Sequence, residues 1–188
     1  MLTASILLAL FIGWIMGGRV TRLSDFQLAF PWVIIAALLL QSVLPHLASG
    51  PLAGFRFIFL VISYLLLIWA LSRNEPSPGI ILATAGVFFN FLVIIFNGGM
   101  PVSPGAIRAI GYSGSLSTLI AVKDGVHVLM ASTTRLPWLA DIIPEPLPSP
   151  FRGVASPGDV LLAAGVFAIV LSKMMYVGRR RKIGSDAG

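Results

Sequence analysis

Gly79-Ile80-Ile81-Leu82-Ala83-Thr84-Ala85-Gly86-Val87-Phe88-Phe89-Asn90-Phe91-Leu92-Val93-Ile94-Ile95-Phe96 is the stretch whose reading settles the class of this chain. Its 18 residues hold no charge, and Thr84 and Asn90 are the only polar side chains in it. A bilayer-spanning helix needs about 20 predominantly apolar residues, and this run is of that size. Local chemistry marks both ends. Ser77 can accept a hydrogen bond from an orphan amide, Pro78 suits the first helical position, and Asn97-Gly98-Gly99 releases the helix.

Working outward, four further apolar runs predict an all-α membrane protein. The expected architecture is a single membrane domain over residues 1–188, a bundle of about five transmembrane helices at 2–16, 28–45, 55–72, 79–96 and 159–177. An extracytoplasmic cap, 97–157, separates the fourth and fifth helices, and a basic cytoplasmic tail, 178–188, follows. The first run has no Lys or Arg before it, while Arg19 and Arg22 come after, so it reads as a retained helix and not as a cleaved signal. Gly13 and Gly17 stand at a spacing that lets helices approach closely. Pro31 and Trp32 open the second helix, and Pro45 and His46 close it. Ser-Pro-Gly recurs at Ser77, Ser103 and Ser156 as a helix start, and Ser156 with Asp159 has the spacing of a capping box.

Composition agrees with this reading. The chain is 57% hydrophobic and 11% charged, with a mean hydropathy of +0.95, whereas a soluble domain carries roughly 25% charged residues. It has no cysteine, which excludes disulfides, thiolate metal sites and thiol chemistry. A net charge of +6 would suit a nucleic-acid partner, but the densest basic run, Arg179 to Lys182, directly follows an apolar segment. Topology and anionic headgroups explain such a position, so the expected partner is the lipid bilayer and no nucleic acid. With the N-terminus outside, Arg19, Arg22, Arg73, Lys173 and the 179–182 run all fall on the cytoplasmic side.

The external segment is too long for a simple connector and is the place to look for function. Pro104 to Ile110 reads as a short helix. Leu119 to Val122 and Val126 to Met130, joined through Lys123-Asp124-Gly125, read as a hairpin, and Pro144-Glu145-Pro146-Leu147-Pro148 as extended polyproline.

Candidate chemistry is sparse. The main polar residues inside the spans are Gln41, Ser63, Tyr64, Thr84 and Asn90, none ionisable near neutral pH, which argues against a pump, a proton-coupled carrier or an ion channel. Hydrogen bonding between helices is the expected role of Gln41 and Asn90. His46, His127, Asp124, Asp141, Glu145 and Asp159 all fall on the outer side, yet none stands at the helical spacing of a metal motif. No G-x-S-x-G elbow and no phosphate loop occurs. No catalytic residue, metal or cofactor is therefore assigned. The expected ligand or partner contacts are Asn97, Gly98, Gly99, Met100, His127, Arg135, Trp138 and Asp141.

Asn97-Gly98-Gly99-Met100-Pro101-Val102, His127-Val128-Leu129-Met130, Thr134-Arg135-Leu136-Pro137-Trp138-Leu139, Asp141-Ile142-Ile143-Pro144 and Ser156-Pro157-Gly158-Asp159 carry a resemblance. In order and spacing they resemble an uncharacterised family of small bacterial multi-pass membrane proteins, a domain of unknown function. That family's pattern has one more residue between the glycine pair and the methionine. The resemblance implies a bacterial inner-membrane location and no particular activity.

The residues favour a non-enzymatic membrane subunit or scaffold, whose apolar, aromatic cap docks another subunit or shelters a lipid or quinone. One rival is an enzyme acting on a lipid-linked substrate at the outer leaflet, with Asp141 or Asp124 as base and His127 or Arg135 as helper. An uncoupled facilitator is the other, and it would need a polar pathway that the spans do not advertise.

Overall fold

The computed structural model describes residues 1–25, 27–44, 53–112, 126–146 and 153–175. His46, Asp124, the first arm of the expected hairpin and the basic tail lie outside the described residues. The protein is mostly helical. Among the described residues there are six α-helices: α1 Leu2–Ile15, α2 Pro31–Val43, α3 Arg56–Ser72, α4 Pro78–Asn97, α5 Pro104–Ala109 and α6 Pro157–Met175. Four short strands complete them: β1 Met100–Val102, β2 His127–Leu129, β3 Ile143–Glu145 and β4 Gly153–Ala155.

Each Ser-Pro-Gly triplet begins a helix, as its chemistry predicts. Ser77 Oγ accepts from Ile80 N at 3.3 Å, Ser103 Oγ from Ala106 N at 3.4 Å and Ser156 Oγ from Asp159 N at 2.9 Å. At the third start the carboxylate answers, with Ser156 N donating to Asp159 Oδ2 at 3.0 Å, so the capping box closes in both directions.

Of the five apolar runs, α4 with 20 residues and α6 with 19 are long and apolar enough to cross a membrane. The runs at α1, α2 and α3 are 14, 13 and 17 residues long, about 20 to 26 Å of helix. α4 makes its most extensive contact with α6; α6 also packs on α1, α4 on α3, and α3 on α2. Glycines set the closeness of α4 and α6. A β-carbon on Gly165 would lie 2.6 Å from Gly79 O and 2.9 Å from Ala83 Cα, and one on Gly86 would lie 2.6 Å from Leu162 N. The two helices thus run antiparallel, backbone against backbone. Of the pair singled out by spacing, Gly13 of α1 faces Met174 Sδ, while Gly17, at φ 80°, lies just past the helix end, where a β-carbon would meet nothing within 4 Å.

The inside of the bundle holds small and polar residues, among them Ala9, Ala37, Ser63, Ala70, Ala83 and Asn90, together with larger ones such as Leu44, Leu60, Leu67, Val93 and Ile94. Many large apolar side chains nevertheless stand outside, among them Leu7, Phe11, Leu39, Ile62, Leu65 and Ile81. All four tryptophans are exposed, Trp32 at 79% and Trp14 at 69% the most.

Arg22 Nη1 donates to Met174 O at 2.8 Å, Ala29 N to Asn74 Oδ1 at 2.8 Å, and Gly79 lies against Ile169. Those contacts bring Arg19, Arg22, Arg73 and Lys173 to one end of the bundle, and the strands occupy the other.

β2, the second arm of the expected hairpin, pairs in parallel with β1, Met100 opposite His127 and Val102 opposite Leu129, while the first arm lies outside the described residues. The other strand pair corrects one expectation. Pro144 and Glu145, read as polyproline, sit in β3 and pair antiparallel with β4, Pro144 opposite Val154. A two-stranded pair has free edges, and there proline's missing donor costs nothing.

Candidate functional site

β1 is the strip from which the site is built. It follows α4 after a single turn, in which Gly98 takes φ 73° and Gly99 passes so close to Val126 O that a β-carbon would lie 2.7 Å away. On one edge β1 meets β2. On the other, Asp141 N donates to Pro101 O at 2.9 Å and Ser103 N donates to Asp141 O at 2.9 Å. Proline is admissible at 101 because that edge asks only for its carbonyl. His127 and Asp141 therefore flank the same strand, and His127 Nε2 stands 3.4 Å from Asp141 Oδ2. The aspartate is buried, with 7% of its side chain exposed, whereas the imidazole keeps 34% of its surface open.

From Asp141 the chain returns to α6. Ile142 N donates to Ala155 O at 3.1 Å, and the β3–β4 pair ends at Ser156, the cap of α6. Asn90 of α4 reaches into that cap. Its Nδ2 donates to Asp159 Oδ1 at 2.8 Å, and its Oδ1 accepts from Ser156 Oγ at 2.8 Å. Gly158 leaves the room for this, since a β-carbon there would collide with Asn90 Oδ1. Across α2 and α3, Gln41 Nε2 donates to Ser63 Oγ at 3.0 Å, and that hydroxyl donates to Leu60 O at 2.6 Å. Both mid-helix amides expected to join helices do so.

One pocket of about 200 Å³ collects these groups. Gln41, Tyr64, Asn90, His127, Asp141 and Asp159 give it a polar lining, and Leu60, Ile94, Met100 and Val126 an apolar wall. Such a combination can bind a small molecule with a polar head, and the His127–Asp141 pair can exchange a proton with it. A larger groove of about 490 Å³ between α3 and α4, walled by Ile68, Leu71, Ile80 and Phe88 among others, has no ionisable side chain in its lining and offers shape alone. Among the described residues, no three His, Asp or Glu side chains stand together as a metal site.

Met100, His127 and Asp141 meet in the pocket, but the other sequence-selected residues do not line it. Asn97 Nδ2 donates to Arg135 O at 2.9 Å and to Val93 O at 2.7 Å, and Arg135 N donates to Asn97 Oδ1 at 2.8 Å. That is a latch between α4 and the loop, made through the backbone of Arg135. Gly98 and Gly99 turn the chain. Trp138 is 61% exposed. The pocket residues absent from the expected contacts are Gln41, Tyr64, Asn90 and Asp159: Gln41 and Asn90 read as interhelical hydrogen-bonders, Tyr64 as a polar residue within a span, and Asp159 as part of a cap and one of the outer ionisable groups. For the first three the signal was a polar residue within an apolar run, which points to a partner but not to which one.

In comparisons with known proteins, the sequence model of a family described as "Family of unknown function (DUF5317)" matches residues 25–171, a span that includes every residue of the pocket. No curated protein and no solved structure matches the chain.

Proposed function

The chain belongs to this family of unknown function, and from there we propose that it is a multi-pass protein of a bacterial inner membrane that binds a small membrane-borne amphiphile in the pocket at the strand end of its bundle. The observation that carries the reading is a polar pocket with an apolar wall, set among helices that expose many large apolar side chains on their outer faces. A water-soluble protein rarely exposes so much contiguous apolar surface, whereas a bilayer makes it the favourable arrangement. α1, α2 and α3 then cross as short spans beside α4 and α6, with the bilayer thinning or their flanks extending to meet them. Arg19, Arg22, Arg73 and Lys173 at one end give that end to the cytoplasm, and the strand end to the outside as a cap.

The test is to extract the protein in mild detergent and identify retained small molecules by mass spectrometry, beside an Ile94→Trp variant whose indole fills the pocket. Retention of about one amphiphile per wild-type chain and its loss from the variant is the expected outcome. Nothing retained by the wild type, or equal retention by both, overturns the reading.

A second reading is favoured by the His127–Asp141 geometry. With a buried carboxylate at 3.4 Å and an open ring edge, Asp141 orients the imidazole and offsets its charge while His127 takes a proton from a bound hydroxyl or amine. In that case the retained molecule would change with time, and His127→Gln would stop the change without ending retention.

A further inference from the structure

Resting on the reading of the bundle's outer faces as lipid-facing, we infer that the end away from the strands holds one anionic phospholipid, its phosphate on Arg73 and one acyl chain in the groove between α3 and α4. Asn74 builds the place for the head. Its Nδ2 donates to Ala70 O at 2.7 Å, at the end of α3, and its Oδ1 accepts from Ala29 N at 2.8 Å. Next to that bond Phe30 takes φ 55°, a left-handed backbone that a bulky residue keeps only where its surroundings impose it. The result is an exposed stack: the Phe30 and Trp69 ring centroids lie 4.6 Å apart, and Arg73 Cζ lies 5.4 Å from the Trp69 ring centre.

A guanidinium over an indole is attracted through its face, which leaves its planar N–H edge for the bidentate bond that suits a phosphate. Arg73 is exposed, and among the described residues it pairs with no carboxylate, Glu75 two positions on included. A head that carries its own ammonium already balances its phosphate, so a single cation favours the head that lacks one. The chain has a bed beside this point. Ser72 and Asn74, the neighbours of Arg73, belong to the lining of the groove of about 490 Å³, whose walls include Ile68, Leu71, Ile80 and Phe88. Residues 80–88 span about 12 Å of α4, most of a leaflet whose apolar depth is about 15 Å.

The experiment places the full chain in phosphatidylcholine vesicles containing a small, equal share of phosphatidylglycerol or phosphatidylcholine with a photoreactive diazirine in one acyl chain, and locates the crosslinks by peptide sequencing. The glycerol lipid is expected to label residues 68–74 and 80–88 about fivefold more than the choline lipid, the worth of one cation near a membrane surface. Arg73→Gln should equalise the two, while Arg19→Gln, which removes the same charge from an exposed position at the same end, should keep the preference. The wild-type comparison stands without any variant. Equal labelling by the two lipids, a preference lost as fully in Arg19→Gln as in Arg73→Gln, or an excess that falls outside the groove overturns the site and keeps the membrane reading. Labelling of the chain by neither lipid overturns both.

Discussion

Asn90 shows how much one amide can organise. It is 4% exposed, joins Asp159 and Ser156 from the neighbouring helix and also lines the pocket. Removing a buried partner costs more than the hydrogen bond is worth, because the groups left behind stay dry and unsatisfied. Asn90→Ala is therefore expected to destabilise the fold by about 2–4 kcal/mol, measured by thermal or denaturant unfolding in detergent. His127→Gln, at a half-open position, should leave stability within about 0.5 kcal/mol, so its effects on ligand binding or turnover can be read directly. The sequence marked Asn90 as an interhelical hydrogen-bonder and Asp159 as a capping residue and one of the outer ionisable groups, without joining the two. Nothing in the order of residues says that the amide and the carboxylate, 69 positions apart, share one bond. His127 and Asp141 were singled out together for a simpler reason: both are ionisable types in a stretch with few of them.

At the scale of elements, what was legible was whatever chemistry acts over three or four residues. All three Ser-Pro-Gly starts, the short helix at Pro104–Ala109 and the glycine release after α4 were readable because cap and turn residues work locally. The parallel pairing of β1 with β2 was not, since no local signal names a distant strand. Nor was the α4–α6 glycine seam, because in so glycine-rich a chain spacing alone cannot tell a packing glycine from a turn. Two predictions follow from these elements. Ser156→Ala should cost about 1 kcal/mol of stability through loss of the cap, seen as a lowered Tm. Gly165→Leu drives a side chain into the Gly79–Ala83 backbone and should cost about 3 kcal/mol or prevent folding, whereas a leucine at Gly105, whose β-carbon would meet only Ser103 Oγ at 3.6 Å, should be mild.

For the whole molecule, the prediction is partition. If the outward apolar side chains face lipid, the expressed protein sediments with membranes, resists carbonate extraction and needs detergent to leave them. A C-terminal phosphatase fusion should then be inactive and a C-terminal fluorescent fusion bright, as an inner C-terminus requires. Protein that stays folded in the supernatant after ultracentrifugation would overturn both. The exposed tryptophans have a consequence of their own. Trp14, Trp32, Trp69 and Trp138 all sit at the surface, so the indole emission colour reports the medium around the molecule more than its interior. Brominated acyl chains should quench Trp14 and Trp32 on contact, and the depth of the bromine that quenches best would measure how far each ring lies from the mid-plane, with no label attached.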